Sequence, residues 1–142
     1  MRLLITIAHY SKQTDPAANP WKWGSLGAPL PRLAAFNAQL VALHRYFGPR
    51  RSSLVADDPQ GRSAENGDVL DIVVMTARGA NLLKWIGISS DTYSVEYFDG
   101  PPLLLPFEAQ RIMRDRVGQY DLYAYLEDDL IIDDPAFMSK IA

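Results

Sequence analysis

The sequence predicts an α/β fold in three α/β/α layers around a mainly parallel sheet. Three observations carry this. Short, nearly all-apolar runs rich in β-branched residues stand at Arg2 to His9 and at Val69 to Thr76, as strands buried on both faces require. Segments of helical periodicity separate such runs, and that alternation produces βαβ units with right-handed crossovers. The chain has 142 residues with 48% hydrophobic content, enough for one continuous core, so one domain over 1–142 is expected.

Arg2 to His9 opens the chain as a central strand. From Ser11 to Leu30, three prolines (Pro16, Pro20, Pro29) and two glycines (Gly24, Gly27) leave no regular element, and structureless connections of that length are usually functional or mobile. Trp21 and Trp23 fall in this stretch, where packing of the loop onto the domain is the expected use of two large rings. Pro31 suits a first helical position, and Leu33, Phe36, Leu40, Leu43 and Phe47 then recur at helical spacing until Gly48. His44, at the border of that stripe, is assigned no role. Gly48 to Gly67 is polar and reads as a second long loop with a short strand around Leu54-Val55.

Strand structure resumes at Val69 to Thr76. A short helix is expected over Ala80 to Trp85, followed by an alternating strand from Tyr93 to Phe98 that Gly100-Pro101-Pro102 terminates. Phe107 to Tyr120 places Ala109, Met113, Val117 and Tyr120 on one helical face, with Arg111 and Arg114 opposite. This crossover helix delivers the chain into Leu122 to Ile132, a strand interrupted by three acids. Asp134-Pro135 then reads as an N-cap and first-turn proline for a helix through Ile141.

Composition excludes several classes of function. A formal charge of -3 speaks against a general nucleic-acid or anionic-membrane binder, which needs a net basic face. The absence of cysteine removes disulfides, thiolate zinc sites, iron–sulfur clusters and cysteine nucleophiles together. Metal ligands must then be oxygen or imidazole. Leu3 to Ala8 is too short for a signal-peptide core or a membrane span, so a cytoplasmic location is expected.

Chemistry concentrates near the end of the sequence. Six of the 17 acids lie between Asp121 and Asp134, and Glu127-Asp128-Asp129 are adjacent. Each like charge opposes its neighbour's ionisation, and a cation relieves that cost. On a continuing strand, Glu127 and Asp129 share one face and can share a metal, while Asp128 on the other accepts hydrogen bonds. Magnesium and manganese commonly bind one or two carboxylates together with substrate phosphates. The bland alternative, acids at a solvated strand end, accounts well for Asp133 and Asp134 and less well for the triplet. An EF-hand is ruled out because no glycine occupies its sharp turn.

The run Gln119-Tyr120-Asp121-Leu122-Tyr123-Ala124-Tyr125-Leu126-Glu127-Asp128-Asp129, arriving after an N-terminal strand and several βα units, resembles the nucleotide-sugar half of GT-A glycosyltransferases. The triplet is similar to their DXD motif in a Glu-Asp-Asp form. The order of elements matches over essentially the whole chain, and about a dozen residues around the triplet carry the likeness in sequence. The resemblance implies a Rossmann-like nucleotide-diphospho-sugar transferase fold. It also implies a nucleoside diphosphate sugar as ligand, an unidentified acceptor and a divalent metal, manganese or magnesium, with calcium as a further option.

Carried over residue by residue, the resemblance makes Asp129 the direct metal ligand and Asp128 the ribose contact, with Glu127 acting on the metal through water or by orientation. His9, Tyr10 and Ser11 fall near the base, and Arg78 falls near the diphosphate. Such enzymes normally continue well beyond the triplet to form an acceptor site, whereas this sequence ends one short helix later; the resemblance therefore implies a version truncated at its C-terminus. No catalytic residue is assigned. Two other classes stay open: a non-catalytic domain that binds calcium or a nucleotide and acts through a partner, and a phosphate-handling enzyme or receiver domain.

Overall fold

The computed structural model describes residues 1–12, 29–48 and 69–141. The expectations for Trp21, Trp23 and Leu54-Val55 lie outside the described residues. Four strands, β1 (Arg2–His9), β2 (Val69–Thr76), β3 (Ser94–Tyr97) and β4 (Leu122–Glu127), form one sheet in the order β3-β2-β1-β4. All three pairings are parallel. The helices are α1 (Pro29–Phe47), α2 (Leu105–Asp115) and α3 (Phe137–Ile141).

Strand alternation divides the core into two layers. Leu3, Ile5 and Ile7 of β1, with Leu70, Ile72 and Val74 of β2, meet Phe36, Leu40 and Leu43 of α1 and Met138 of α3. Leu4 and Ala8, with Val73 and Met75, meet Leu105, Ala109 and Ile112 of α2 on the opposite face. Because β1 and most of β2 are covered on both sides, their sequences run nearly all apolar, with Asp71 of β2 exposed. The expected α/β class with a parallel sheet is therefore observed.

Several boundaries differ from the sequence expectation. Helix α1 begins at Pro29, ahead of Pro31. It ends as expected at Gly48, whose N–H donates to the His44 carbonyl at 3.0 Å; a Cβ there would stand 2.4 Å from that oxygen. Between Ala80 and Trp85 the chain makes only a 3-10 turn, Leu83–Trp85.

Helix α2 starts earlier and stops sooner than Phe107 to Tyr120. A 3-10 turn at Pro102–Leu104 leads into it, Pro106 fits its first turn, and Gly118 at φ 84 follows its end. Its buried face is Leu105, Ala109 and Ile112, while Val117 is 73% exposed beyond the helix. The fourth difference matters most for function. Strand β4 stops at Glu127, and the chain turns there, with the Leu130 N–H donating to the Glu127 carbonyl at 3.2 Å. Ile132 then enters the α1-side core.

The expected cap before α3 is present: Asp134 accepts the Ala136 N–H at 2.9 Å and the Lys140 ammonium at 2.6 Å. Among the described residues, no helix is long and apolar enough to cross a membrane.

Candidate functional site at the carboxyl ends of β1 and β4

The strand order creates a switch point. From β1 the chain moves to β2 and β3 on one side, and α2 then carries it back to place β4 on the other side of β1. Open α/β sheets leave a crevice at such a point, outside the carboxyl ends of the strands. Here those ends are His9 on β1 and Glu127 on β4.

Register determines which side chains meet. Ala8 pairs with Glu127 on the α2 face, so the next step along both chains brings His9 and Asp128 together on the α1 face. The His9 Nδ1–H donates to Asp128 Oδ2 at 2.6 Å. That tautomer follows from the other nitrogen, because Nε2 accepts the Leu82 N–H at 2.9 Å. Arg32, in the first turns of α1, closes on the same carboxylate in bidentate fashion. Its Nε donates to Oδ2 and its Nη2 to Oδ1, each at 2.8 Å. His9 is 0% and Asp128 1% exposed, and the His9 ring stacks on Phe36 at 4.6 Å. A buried carboxylate is stable only when paired and hydrogen-bonded, and these three bonds meet that demand.

Gln39 of α1 fixes the turn that follows. Its buried amide donates to the Glu127 carbonyl at 2.7 Å and to the Leu130 carbonyl at 2.8 Å. The triplet is thereby divided. Asp128 points inward, while Glu127 and Asp129 are exposed. Strand register sets Glu127, the last residue of β4, and it is the turn that follows that leaves Asp129 outside as well. Glu127 accepts a hydrogen bond from the Tyr125 hydroxyl, two residues earlier on the same face. Burial, and then that carboxylate, push the Tyr125 phenol above its ordinary range. Among the described residues, no side-chain hydrogen bond or ion pair engages Asp129.

The remaining residues singled out in the sequence are distributed along the same edge. Tyr10 is half-buried against the α2-side core. The Ser11 N–H donates to the Ala80 carbonyl at 2.9 Å. Arg78 stands beyond the end of β2, its guanidinium 4.3 Å above the Tyr97 ring. The structure thus joins His9 to Asp128, leaves Glu127 and Asp129 exposed outside, and sets Arg78 two strands away. No family model, curated protein or solved structure matches the chain.

Among the described residues, no group of three or more His, Asp or Glu side chains is placed to hold a metal ion. A cation at the outer acids would rest on two carboxylates, and a ligand's phosphates and water would complete its shell. That donor set suits magnesium or manganese better than calcium, which takes six to eight oxygens.

Sequence reasoning did not find Arg32, Gln39 or Tyr125. For the first two a signal existed: Arg32, Phe36, Gln39 and Leu43 recur at three- and four-residue spacing, so an arginine and a glutamine lie on the stripe that α1 buries. Polar residues on such a stripe need partners, and the triplet's middle acid and the turn's carbonyls supply them.

Proposed function

We propose that the carboxyl edge of the sheet binds a nucleoside diphosphate sugar through a divalent cation held by Glu127 and Asp129, in a glycosyltransferase-like protein. The observation that supports this most is the division of the triplet at the switch point. One acid is consumed by Arg32 and His9, and the two acids left outside stand exposed next to a crevice of the kind α/β proteins use for ligands. The likeness of the Glu-Asp-Asp run to the GT-A motif supplies the ligand class.

In this reading His9 and Asp128, enclosed and fully engaged by protein groups, brace the site from beneath. Tyr10 and Arg78, which reach the surface, are left to meet the nucleotide. When bound, the cation neutralises charge on the diphosphate leaving group. The protein's own part is to hold two carboxylates apart from a third and to keep the edge rigid.

Melting temperature measured with manganese, magnesium or calcium, each with and without nucleoside diphosphates and their sugars, tests the reading. Cation and nucleotide should each stabilise the protein more in the other's presence, because a bridging metal makes the coupling reciprocal. A response to calcium alone, with none to any nucleotide, would replace this reading with a non-catalytic cation-binding module.

A further inference from the structure

The amino end of the sheet, opposite the carboxyl edge, holds a cleft of about 340 Å³. It exists because β3 starts late. Strand β2 has eight residues and β3 four, and their pairing begins only at Val73 with Ser94. Ahead of Ser94 the chain is drawn into a turn, where the Thr92 N–H and hydroxyl both donate to the Ser89 carbonyl, at 3.1 and 2.7 Å. The Ser94 hydroxyl reaches the Ile72 carbonyl at 3.3 Å and closes the gap on one side. Before that contact, among the described residues, the first half of β2 has no neighbouring strand on its β3 side.

Backbone direction decides what the gap presents. The Val69 N–H donates to the Met1 carbonyl, towards β1, and the Thr76 carbonyl accepts the Phe98 N–H, on the side of β3. Successive residues of a central strand address opposite neighbours, so Leu70 and Ile72 address the gap. Among the described residues nothing bonds the Leu70 N–H, the Leu70 carbonyl or the Ile72 N–H there, although both side chains are buried. Such groups take their partners from water or from a ligand. Charges of both signs line the same cleft: exposed Asp71 and Asp91, and half-buried Arg116 at the end of α2. Asp71 accepts the Tyr120 hydroxyl, and Arg116 stands by that hydroxyl as well. Among the described residues no ion pair engages any of the three.

We propose that this cleft binds a free α-amino acid, a basic one in preference. The ligand's carboxylate pairs with the planar donors of Arg116, its ammonium groups meet Asp71 and Asp91, and the Leu70 backbone supplies a donor and an acceptor beside them. The lining carries two acids and one base, and lysine offers the opposite set, two ammonium groups and one carboxylate. A neutral sugar would leave all three charges desolvated without a counter-charge, which is costly. The volume lies at the lower end of the range of small-molecule sites, roughly 300–1,000 Å³. Because the cleft stands at the other end of the strands from Glu127 and Asp129, it holds or fails independently of the metal reading.

Titration calorimetry of the full chain with L-lysine, L-glutamate and cadaverine, which is lysine without its carboxylate, tests this. Lysine should bind, and glutamate and cadaverine should each bind at least about tenfold more weakly. Arg116→Met should bring lysine down to the level of cadaverine without weakening cadaverine itself. Asp91→Asn changes an exposed side chain, so it should keep the parent's melting temperature while weakening lysine about tenfold. Lysine binding no tighter than cadaverine in the parent, or unchanged by Arg116→Met, would overturn the carboxylate contact and with it the amino-acid assignment. Equal binding of glutamate and lysine would do the same for the two acids. A parent that binds no lysine yet still couples manganese to uridine diphosphate would remove this site and leave the carboxyl edge as read.

Discussion

Asp128 Oδ2 lies 2.6 Å from His9 Nδ1, although 119 positions separate the two residues in the chain. Strand pairing brings them together, and Arg32 completes the group from a third element. Asp128 binds both His9 and Arg32, so removing either of those side chains leaves the carboxylate with the other alone.

Arg32→Met tests this dependence. It leaves the enclosed Asp128 carboxylate without its bidentate partner, and loss of one member of a buried pair costs about 3–5 kcal/mol. The double variant Arg32→Met/Asp128→Asn removes both charges while keeping an acceptor for His9, and should recover much of the loss. Urea unfolding of the three proteins measures it; equal stability of parent and Arg32→Met would mean that the pair does not form in solution.

Gln39→Leu should destabilise the protein by about 1–3 kcal/mol, because two part-buried carbonyls, those of Glu127 and Leu130, lose their donor. The same change frees the turn that keeps the triplet divided. Hydrogen exchange should accordingly rise at Leu130 and stay unchanged in β2, and protection retained at Leu130 would argue that another group holds the turn.

Asp129→Ala separates ligand binding from stability. The side chain is exposed and unengaged among the described residues, so its removal should leave the metal-free melting temperature at or above that of the parent. Manganese-dependent binding of a nucleoside diphosphate should weaken at least about tenfold, roughly 1.4 kcal/mol. Calorimetric titration of both proteins decides the point, and unchanged affinity would remove Asp129 from the metal site.

A dependence on pH follows from His44 in α1. Burial holds its imidazole below the ordinary value of 6.5, and the Thr92 backbone offsets this only in part. Among the described residues its Nε2 is buried without a hydrogen-bond partner. The folded state therefore favours the neutral ring, and the unfolded chain takes up the proton first. The contribution is complete above the unfolded value and is lost as pH falls from there through the folded one. The urea midpoint should drop between pH 8 and pH 5.5 in the parent and drop less in His44→Gln; parallel curves would show that other groups control the response.

The fold class was legible because β1 and most of β2 are covered on both faces, and strands in that position are apolar at nearly every residue. The triplet was legible as an anomaly at the end of such a strand. The sequence also anticipated its division, with Asp128 turned away from Glu127 and Asp129; what it did not reveal was the set of groups that enforces it. Alternation along a continuing strand also puts Asp128 opposite its neighbours, but Gln39 and Arg32, about ninety positions away, are what end the strand and draw that side chain in. Local pattern cannot specify a turn that a distant helix imposes. The same limit applied to α2, where Val117 fits the helical period and Gly118 ends the helix before that period can be used.

Parallel pairing also sets the order in which the protein can be built. At ordinary rates of synthesis, roughly 5–20 residues per second, several seconds separate the appearance of His9 from that of Glu127. Through that interval β1, an almost wholly apolar strand, can pair with β2 but must wait for β4. One flank of this central strand stays open meanwhile, the kind of edge that other chains join. Nascent chains stalled before residue 122 should therefore bind holding chaperones strongly and let go once β4 emerges, and the candidate site comes into existence at the same moment that this hazard ends.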